Sequence, residues 1–543
     1  MGIRFWSGWT TIVTLIALLL AVPVLFVLAG LVTDAGEIWQ HLAATVLTRY
    51  VANSLWLMLG VGLGVLVLGT GTAWLVTMCQ FPGQRIFAWA LLLPFAAPAY
   101  ILAYTYTELL EYYGPVQSQL RQLFHWESAQ DYWFPNVRSL WGAILMLVLV
   151  LYPYVYLLAR SAFLSQAVSL LEASRNLGCN PWNSFIQVAL PLARPAIVAG
   201  LALALMETLN DYGTVYHFAV DTFTTGIYRT WFDLGEPRAA VQLAGVLLLF
   251  IVVLMGVERR SRGQSRYYQS SSRQQHLPRY SLGWIGAIGA TVACLLPIAL
   301  GFVVPAAILV QMTLQEPNQA FGERFWDCAS HSLLLAGLTA GLAVGLALIL
   351  AYGVRLRSNL AMQLAVQTAA LGYAVPGSVI AVGVLVPIGL LDNTINAWMQ
   401  THQGFSTGLL LSGTIGALIY AYLIRFLAVS LGAVESGLSK IKPSLDDAAR
   451  SLGHGSLSTL RQIHVPLLWS SLLTASILVF VDVMKELPAT LIMRPFNFET
   501  LATQVYRLAS DERLAEAAGP ALAMVLVGLL PVLLLSRQLN RSG

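Results

Sequence analysis

Charge is the scarcest ingredient of this sequence. Only 10% of its 543 residues are Asp, Glu, Lys or Arg, against 57% hydrophobic residues. A soluble globular chain carries about 25% charged residues, so the polar surface here is too small to clothe one. Cysteine is almost as rare. Cys79, Cys179, Cys294 and Cys328 show no CxxC spacing, which excludes a disulfide framework and a cysteine zinc site. There is no G-x-x-x-x-G-K-[ST] phosphate loop and no H-E-x-x-H helix. P-loop ATP binding and zinc proteolysis are therefore excluded for this chain, and the loops hold no nucleophile–His pair of a hydrolase.

What fills the sequence instead is apolar length. Mean hydropathy is +0.71. Phe5 to Thr33, Tyr50 to Gln84, Tyr280 to Gln315 and Ser358 to Leu391 each lack any charged residue. A bilayer core needs about 20 apolar helical residues to cross it, and each run suffices. Hydropathy predicts twelve helices at about 9–33, 51–78, 86–108, 139–162, 196–216, 239–257, 283–312, 331–354, 362–388, 407–431, 467–492 and 517–536. The first run is too long for the apolar core of a signal peptide and is expected to be a retained span. Positive residues favour the cytoplasmic side of short loops. The cluster Arg259, Arg260, Arg262, Arg266, Arg273 and Arg279 then lies inside, as do both termini. Acidic residues show the opposite bias. Either they simply fill outer loops, or they form a vestibule whose potential favours cations.

The sequence also repeats itself. Glu172-Ala-Ser-Arg-Asn-Leu-Gly178 matches Asp447-Ala-Ala-Arg-Ser-Leu-Gly453 at an offset of 275. Pro191 matches Pro466 at the same offset. Pro98 matches Pro376, and Thr225-Gly-Ile-Tyr-Arg229 matches Thr503-Gln-Val-Tyr-Arg507, at 278. Two halves follow, 1–257 and 283–543, joined by a basic linker at 258–282. Six spans per half is an even number, so both halves insert in the same direction and matched loops share a face.

The matched loops, at about 164–195 and 432–466, lie inside by this count. Gly178 and Gly453 sit where a helix should stop, because glycine accepts a left-handed conformation cheaply. Asn180-Pro181 and Ser456 read as helix restarts. The small residues Ala173-Ser174 and Ala448-Ala449 should form a ridge that another protein's backbone can approach closely.

These two loops resemble the EAA motif of ABC importer permeases. The first copy supplies Glu172-Ala173-Ser174, Gly178, Val188 and Leu190-Pro191. The second supplies Asp447-Ala448-Ala449, Gly453, Ile463 and Val465-Pro466. The resemblance implies an all-α polytopic membrane protein with the type I importer permease fold, about 12 transmembrane helices in two parallel-related six-helix halves. It implies that Glu172 and Asp447 contact an ATPase subunit or brace the coupling helix, and that Gly178 and Gly453 allow its turn. It also implies two copies of an ABC ATPase, which would hold ATP and Mg2+ while this chain holds no cofactor. Further implications are a periplasmic substrate-binding protein, membrane lipid around the chain, no nucleic acid, and an inner-membrane location. Transport would proceed by alternating access. A secondary transporter without an ATPase is the alternative from another class, and the paired motifs argue against it.

Ionisable residues inside spans are functional candidates by default. Glu207, Asn210, Asp211 and Tyr212 lie in the fifth predicted span, and Asp482, Lys485 and Glu486 in the eleventh. Glu207 matches Asp482 and Asp211 matches Glu486 at 275, each pair spaced i, i+4 on one helix face. One expectation is a path of carboxylate oxygens for a hard cation. The other is that Lys485 pairs with these acids and the carboxylates pack helices or cap span ends. Tyr100, Tyr104, Tyr106, Tyr212 and Tyr216, with His217, read either as phenolate ligands for Fe(III) or as an interfacial aromatic belt. The stretch Glu207 to Thr214 followed by Thr224 to Trp231 resembles the fused permeases of ferric iron importers. That resemblance implies Fe3+ as a transient cargo, with no permanently bound metal. Related fused permeases carry thiamine, which remains the alternative cargo.

Overall fold

The computed structural model describes residues 8–32, 36–165, 178, 180–262, 280–357 and 359–541. Among these, eleven helices are long and apolar enough to cross a bilayer, or twelve if one bent pair counts as a single span. The fold is all-α. Its only strand pairing among the described residues is a two-residue parallel bridge, Cys79–Gln80 with Tyr280–Ser281.

The differences from the hydropathy reading lie at interruptions. The third predicted span is not one rod. It runs as Gln84–Ala96 and Ala99–Phe124, bent by 88°, with Pro98 as the extended residue opening the second piece. Pro98 lacks an N–H, and its ring disfavours helical backbone just before it. The matched Pro376 does the same in the second half. The helix Leu360–Ala370 passes through a tight turn, Leu371–Ala374, before Gly377–Gln403 resumes. The fifth span stops at Asn210 and restarts as Gly213–His217. The eleventh stops at Met484 and restarts as Pro488–Met493. The tenth begins at Ile415, not 407, because Gly408 and Gly413 take positive φ in a loop before it. Its N-cap Thr414 accepts from Ala417 N, and Ser139, 275 residues earlier, accepts from Gly142 N at the start of Leu140–Leu164.

Two compact units form, and each draws on both sequence halves. The first comprises residues 1–43, 226–248 and 321–505. In it the helix Gly8–Gly30 packs among helices of the second half. Tyr420 donates to the Leu19 carbonyl, and the Trp9 and Tyr352 rings meet edge-on at 5.7 Å. Gly383 lets the backbone of Pro23 come close. A Cβ there would lie 2.7 Å from the Pro23 carbonyl oxygen and 2.9 Å from Val27. Small residues are what permit such approach between membrane helices.

The second unit comprises residues 44–225, 249–320 and 506–543. Here segments of the second half pack on the first. Tyr106 donates to the Leu300 carbonyl at 2.7 Å, and Tyr100 Oη lies 3.6 Å from Met524 Sδ. Tyr152 and Tyr156, both fully buried, donate to the carbonyls of Leu91 and Ala88 at 2.7 and 2.8 Å. Those carbonyls lie just before the bend, where the helix cannot satisfy them itself. In a bilayer such groups must find partners inside the protein.

Gly383→Leu should therefore unseat the first helix, at about 1–3 kcal/mol for an overpacked site. The exposed Gly337, whose Cβ position is open, is the control. Thermal unfolding in detergent is expected to show a lower midpoint for Gly383→Leu and an unchanged one for Gly337→Leu.

Candidate functional site

The loop 440–464 carries the second matched motif. Its short helix Ser444–Ser451 ends on Leu452, and Gly453 follows at φ +83°. Gly453 N donates to the Arg450 carbonyl and His454 N to the Ala449 carbonyl, both at 3.0 Å. This is the glycine-terminated Schellman pattern. Gly178 takes the matching conformation, φ +85°. Beyond it, Asn180 caps the restart as expected, accepting from Asn183 N at 2.7 Å. Ser456 does not cap its helix. Gly455 holds that position, and the Ser456 carbonyl instead accepts from Tyr352 Oη at 2.9 Å. Glu172, Ala173 and Ser174 lie outside the described residues.

Both prolines follow a widened turn. Phe185–Ala189 precedes Pro191 and Leu460–His464 precedes Pro466 as matched π turns, again 275 apart. A proline cannot donate the usual i→i−4 bond, and a π turn absorbs the mismatch.

The ridge of small residues is half as wide as expected. Ala448 is exposed, but Ala449 is buried, 1% exposed. The outward face is Leu445, Asp447, Ala448 and Leu452. Asp447 pairs with Arg450 in its own turn, at 2.5 Å, an exposed pair worth about 0–1 kcal/mol. The residue that anchors the helix is Asp446. Its Oδ2 accepts from Arg355 Nε at 3.0 Å and Nη2 at 2.7 Å, and its Oδ1 from His464 Nε2 at 2.6 Å. Arg355 also donates to the carbonyls of Leu438 and Ile441. One guanidinium thus ties three segments together. Burial pushes the Asp446 carboxyl up, but the bonds from Arg355 and His464 outweigh it and hold it below its ordinary range.

The second constellation lies at the two span breaks. In each, a carboxylate caps the helix that restarts. Asp211 accepts from Thr214 N and Val215 N through Oδ1, at 3.1 and 3.0 Å, and from Thr214 Oγ1 through Oδ2 at 2.9 Å. Glu486 accepts from Ala489 N at 2.8 Å, Thr490 N at 3.0 Å and Thr490 Oγ1 at 2.6 Å. Arg425 Nη1 reaches the same carboxylate at 3.5 Å. Of the four matched acids, Asp211 and Glu486 therefore have structural partners that account for them. Glu207 and Asp482 are half-buried. Asn210 Nδ2 lies 3.5 Å from Glu207 Oε2, and Lys485 feels the charge of Asp482.

The tyrosines separate in the same manner. Tyr106 is tied to Leu300, and His217 Nε2 lies 2.9 Å from Thr107 Oγ1. Tyr212 meets Tyr506 hydroxyl to hydroxyl at 3.0 Å, with Tyr216 beside both.

Residues 4–260 match the family described as the binding-protein-dependent transport system inner membrane component. Across the whole length, the chain is similar to the Fe(3+)-transport system permease protein FbpB 2 of Haemophilus influenzae. The two are 27% identical over 545 residues, 98% of each chain. Over its first half the chain matches this transport-component family, and over its whole length it is similar to transport permeases. A ferric transport system permease protein of Actinobacillus pleuropneumoniae is 23% identical to the chain over 89% of its length and 70% of the relative's. The molybdenum transport system permease protein ModB of Escherichia coli K12 is 29% identical, over 35% of the chain and 86% of ModB.

Sequence reasoning missed Asp446, Arg355, His464 and Tyr506. The tandem Asp446-Asp447 carried the only local hint. Asp446→Ala removes three charge-assisted contacts, so the helix Ser444–Ser451 should lose roughly 1.5–3 kcal/mol of local stability. Hydrogen exchange there should quicken by about tenfold or more, with the spans unchanged, while Asp447→Ala leaves it near wild type. The lowered carboxyl fixes the sign with pH. The clamp's contribution is complete above the ordinary aspartate value and is lost as pH falls through the lower folded value. Protection, that is, exchange corrected for its intrinsic pH dependence, should be flat through neutral pH and fall only below about pH 4.

Proposed function

We propose that the permease moves Fe3+ from a periplasmic ferric-binding protein into the cytoplasm by alternating access, driven by two separate ATPase subunits. The observation that carries the cargo is the full-length match. The ferric relatives align across both halves, whereas the molybdenum relative aligns with 35% of the chain.

The geometry supports the mechanism in two places. The second elbow is a short helix stopped by a left-handed glycine, Gly178 takes the same backbone in the first, and both loops join their spans through π turns at Pro191 and Pro466. In the second, the Arg355–Asp446–His464 clamp makes the elbow move with its spans and not bend away from them. The exposed face Leu445, Asp447, Ala448 and Leu452 is the surface offered to the ATPase on the cytoplasmic side, and the first elbow with Glu172, Ala173 and Ser174 has the same role. ATP can shift the equilibrium because it favours one of the two states over the other. At the span breaks Glu207 and Asp482, one helical turn before the capping acids, line the cargo path, with Asn210 and Lys485 beside them. Asp211, Tyr212 and Glu486 shape the breaks themselves.

Inside-out versus right-side-out vesicles holding the permease, its ATPase and its binding protein test the proposal. ATP-dependent accumulation of radiolabelled Fe(III), without accumulation of thiamine and unaffected by ionophores, is expected. The double variant Glu207→Gln/Asp482→Asn should lose most iron uptake while retaining the ATPase subunit. Thiamine accumulation, or uptake that needs an ion gradient and no ATP, would overturn the proposal.

A further inference from the structure

The duplication supplies an internal control for the tyrosines. Tyr104 corresponds to Val382 and Tyr100 to Ser378 at the 278 offset, and Tyr212, Tyr216 and His217 correspond to Leu487, Leu491 and Ile492 at 275. Matched backbone carries both sets. Pro98 and Pro376 open the matched helices Ala99–Leu110 and Gly377–Gln403. The short helices Gly213–His217 and Pro488–Met493 follow matched carboxylate caps. Aliphatic side chains, and a serine opposite Tyr100, fill these places in one unit, so the matched backbone does not call for phenols in the other. Tyr506 and Tyr228 are the phenolic pair common to both copies. The Tyr228 hydroxyl donates to the Pro488 carbonyl, while the Tyr506 hydroxyl faces that of Tyr212.

Tyr104 sharpens the contrast. It is 3% exposed, and its hydroxyl has no hydrogen-bond partner among the described residues. A buried hydroxyl left unpaired is unfavourable in a folded protein. The Tyr104 side chain lies within electrostatic reach of Tyr100, Tyr216, Tyr506 and Asp211. The Tyr212, Tyr216 and Tyr506 rings stand 5.3–5.7 Å apart. Tyr216 is 41% exposed, so the group runs from a buried hydroxyl to an open edge. The neighbouring polar groups are engaged elsewhere: Asp211 caps its helix and His217 meets Thr107.

We propose that Tyr104, Tyr212 and Tyr506 form a transient station for the ferric ion, built in one unit only. This rests on the ferric reading above. Oxygen ligands suit hard cations. Two oxygens at right angles on an octahedral ion with bonds of about 2.0–2.1 Å stand about 2.9 Å apart, and the Tyr212 and Tyr506 hydroxyls stand 3.0 Å apart. The incoming ion brings a bound hydroxide. A phenol O–H gives its proton to that hydroxide, which leaves as water while the Fe–O bond forms. Iron stays ferric and no electron moves. Return of the proton reverses the step, so the station carries no fixed charge when empty and can release its cargo.

The purified complex of permease, ATPase and binding protein is titrated with Fe(III)-citrate, and vesicle uptake is measured in parallel. Wild type should develop a visible phenolate-to-iron charge-transfer band. Tyr104→Phe and Tyr506→Phe keep the rings and should lose the band and about tenfold or more of iron uptake, with ATPase association intact. Tyr106→Phe, whose hydroxyl belongs to the Leu300 carbonyl, should retain both. Iron uptake in wild type that is equal in Tyr104→Phe and Tyr506→Phe overturns the station and leaves the ferric reading standing. No iron uptake in wild type overturns both.

Discussion

Within a bilayer every backbone N–H and C=O must find its partner inside the protein, and this constraint organises the chain. Where its helices run unbroken they satisfy themselves. Where they stop, side chains must take over, and most of these stops occur as matched pairs. Asp211 and Glu486 cap the restarts after the fifth and eleventh spans. Ser139 and Thr414 open the fourth and tenth. Gly178 and Gly453 turn the elbows, and π turns precede Pro191 and Pro466. The places where the chain departs from a simple crossing helix are the places where it can move or touch something.

The pairs also show what duplication keeps and what it lets drift. Backbone devices recur because both copies need the same bends. The side chains around them differ. The clamp Arg355–Asp446–His464 has Thr77, Leu171 and Ala189 at the matched positions, so its charges are not repeated there. The phenols Tyr104, Tyr212 and Tyr216 of the first half have aliphatic counterparts in the second. Matched backbone and unmatched side chains therefore coexist in one chain.

Much of this was legible in the sequence, for physical reasons that also explain the rest. Long uncharged runs mark spans because charge is costly in lipid, and the glycines mark turns because only glycine takes that backbone cheaply. The bend at Pro98 was not legible. Pro23, Pro153 and Pro195 sit inside helices that continue, so a proline alone does not announce a break. Asp446 was overlooked beside Asp447 because its partner Arg355 is 91 residues away. The interleaving of the halves escaped for a related reason. Hydropathy finds the helix Gly8–Gly30 but says nothing of the distant glycine, Gly383, against which it lies. The acids at the breaks were found as candidates, but the capping role of Asp211 and Glu486 shows only in the folded chain.

The central claim is that two matched elbows transmit the work of external ATPases. Single cysteines at Leu177 and Leu452, beside Gly178 and Gly453, test it in the assembled complex with a short bifunctional cross-linker. The account predicts that each position captures one ATPase subunit, and that both together capture two per permease. Capture at one position only, or at neither while uptake remains ATP-driven, would contradict it.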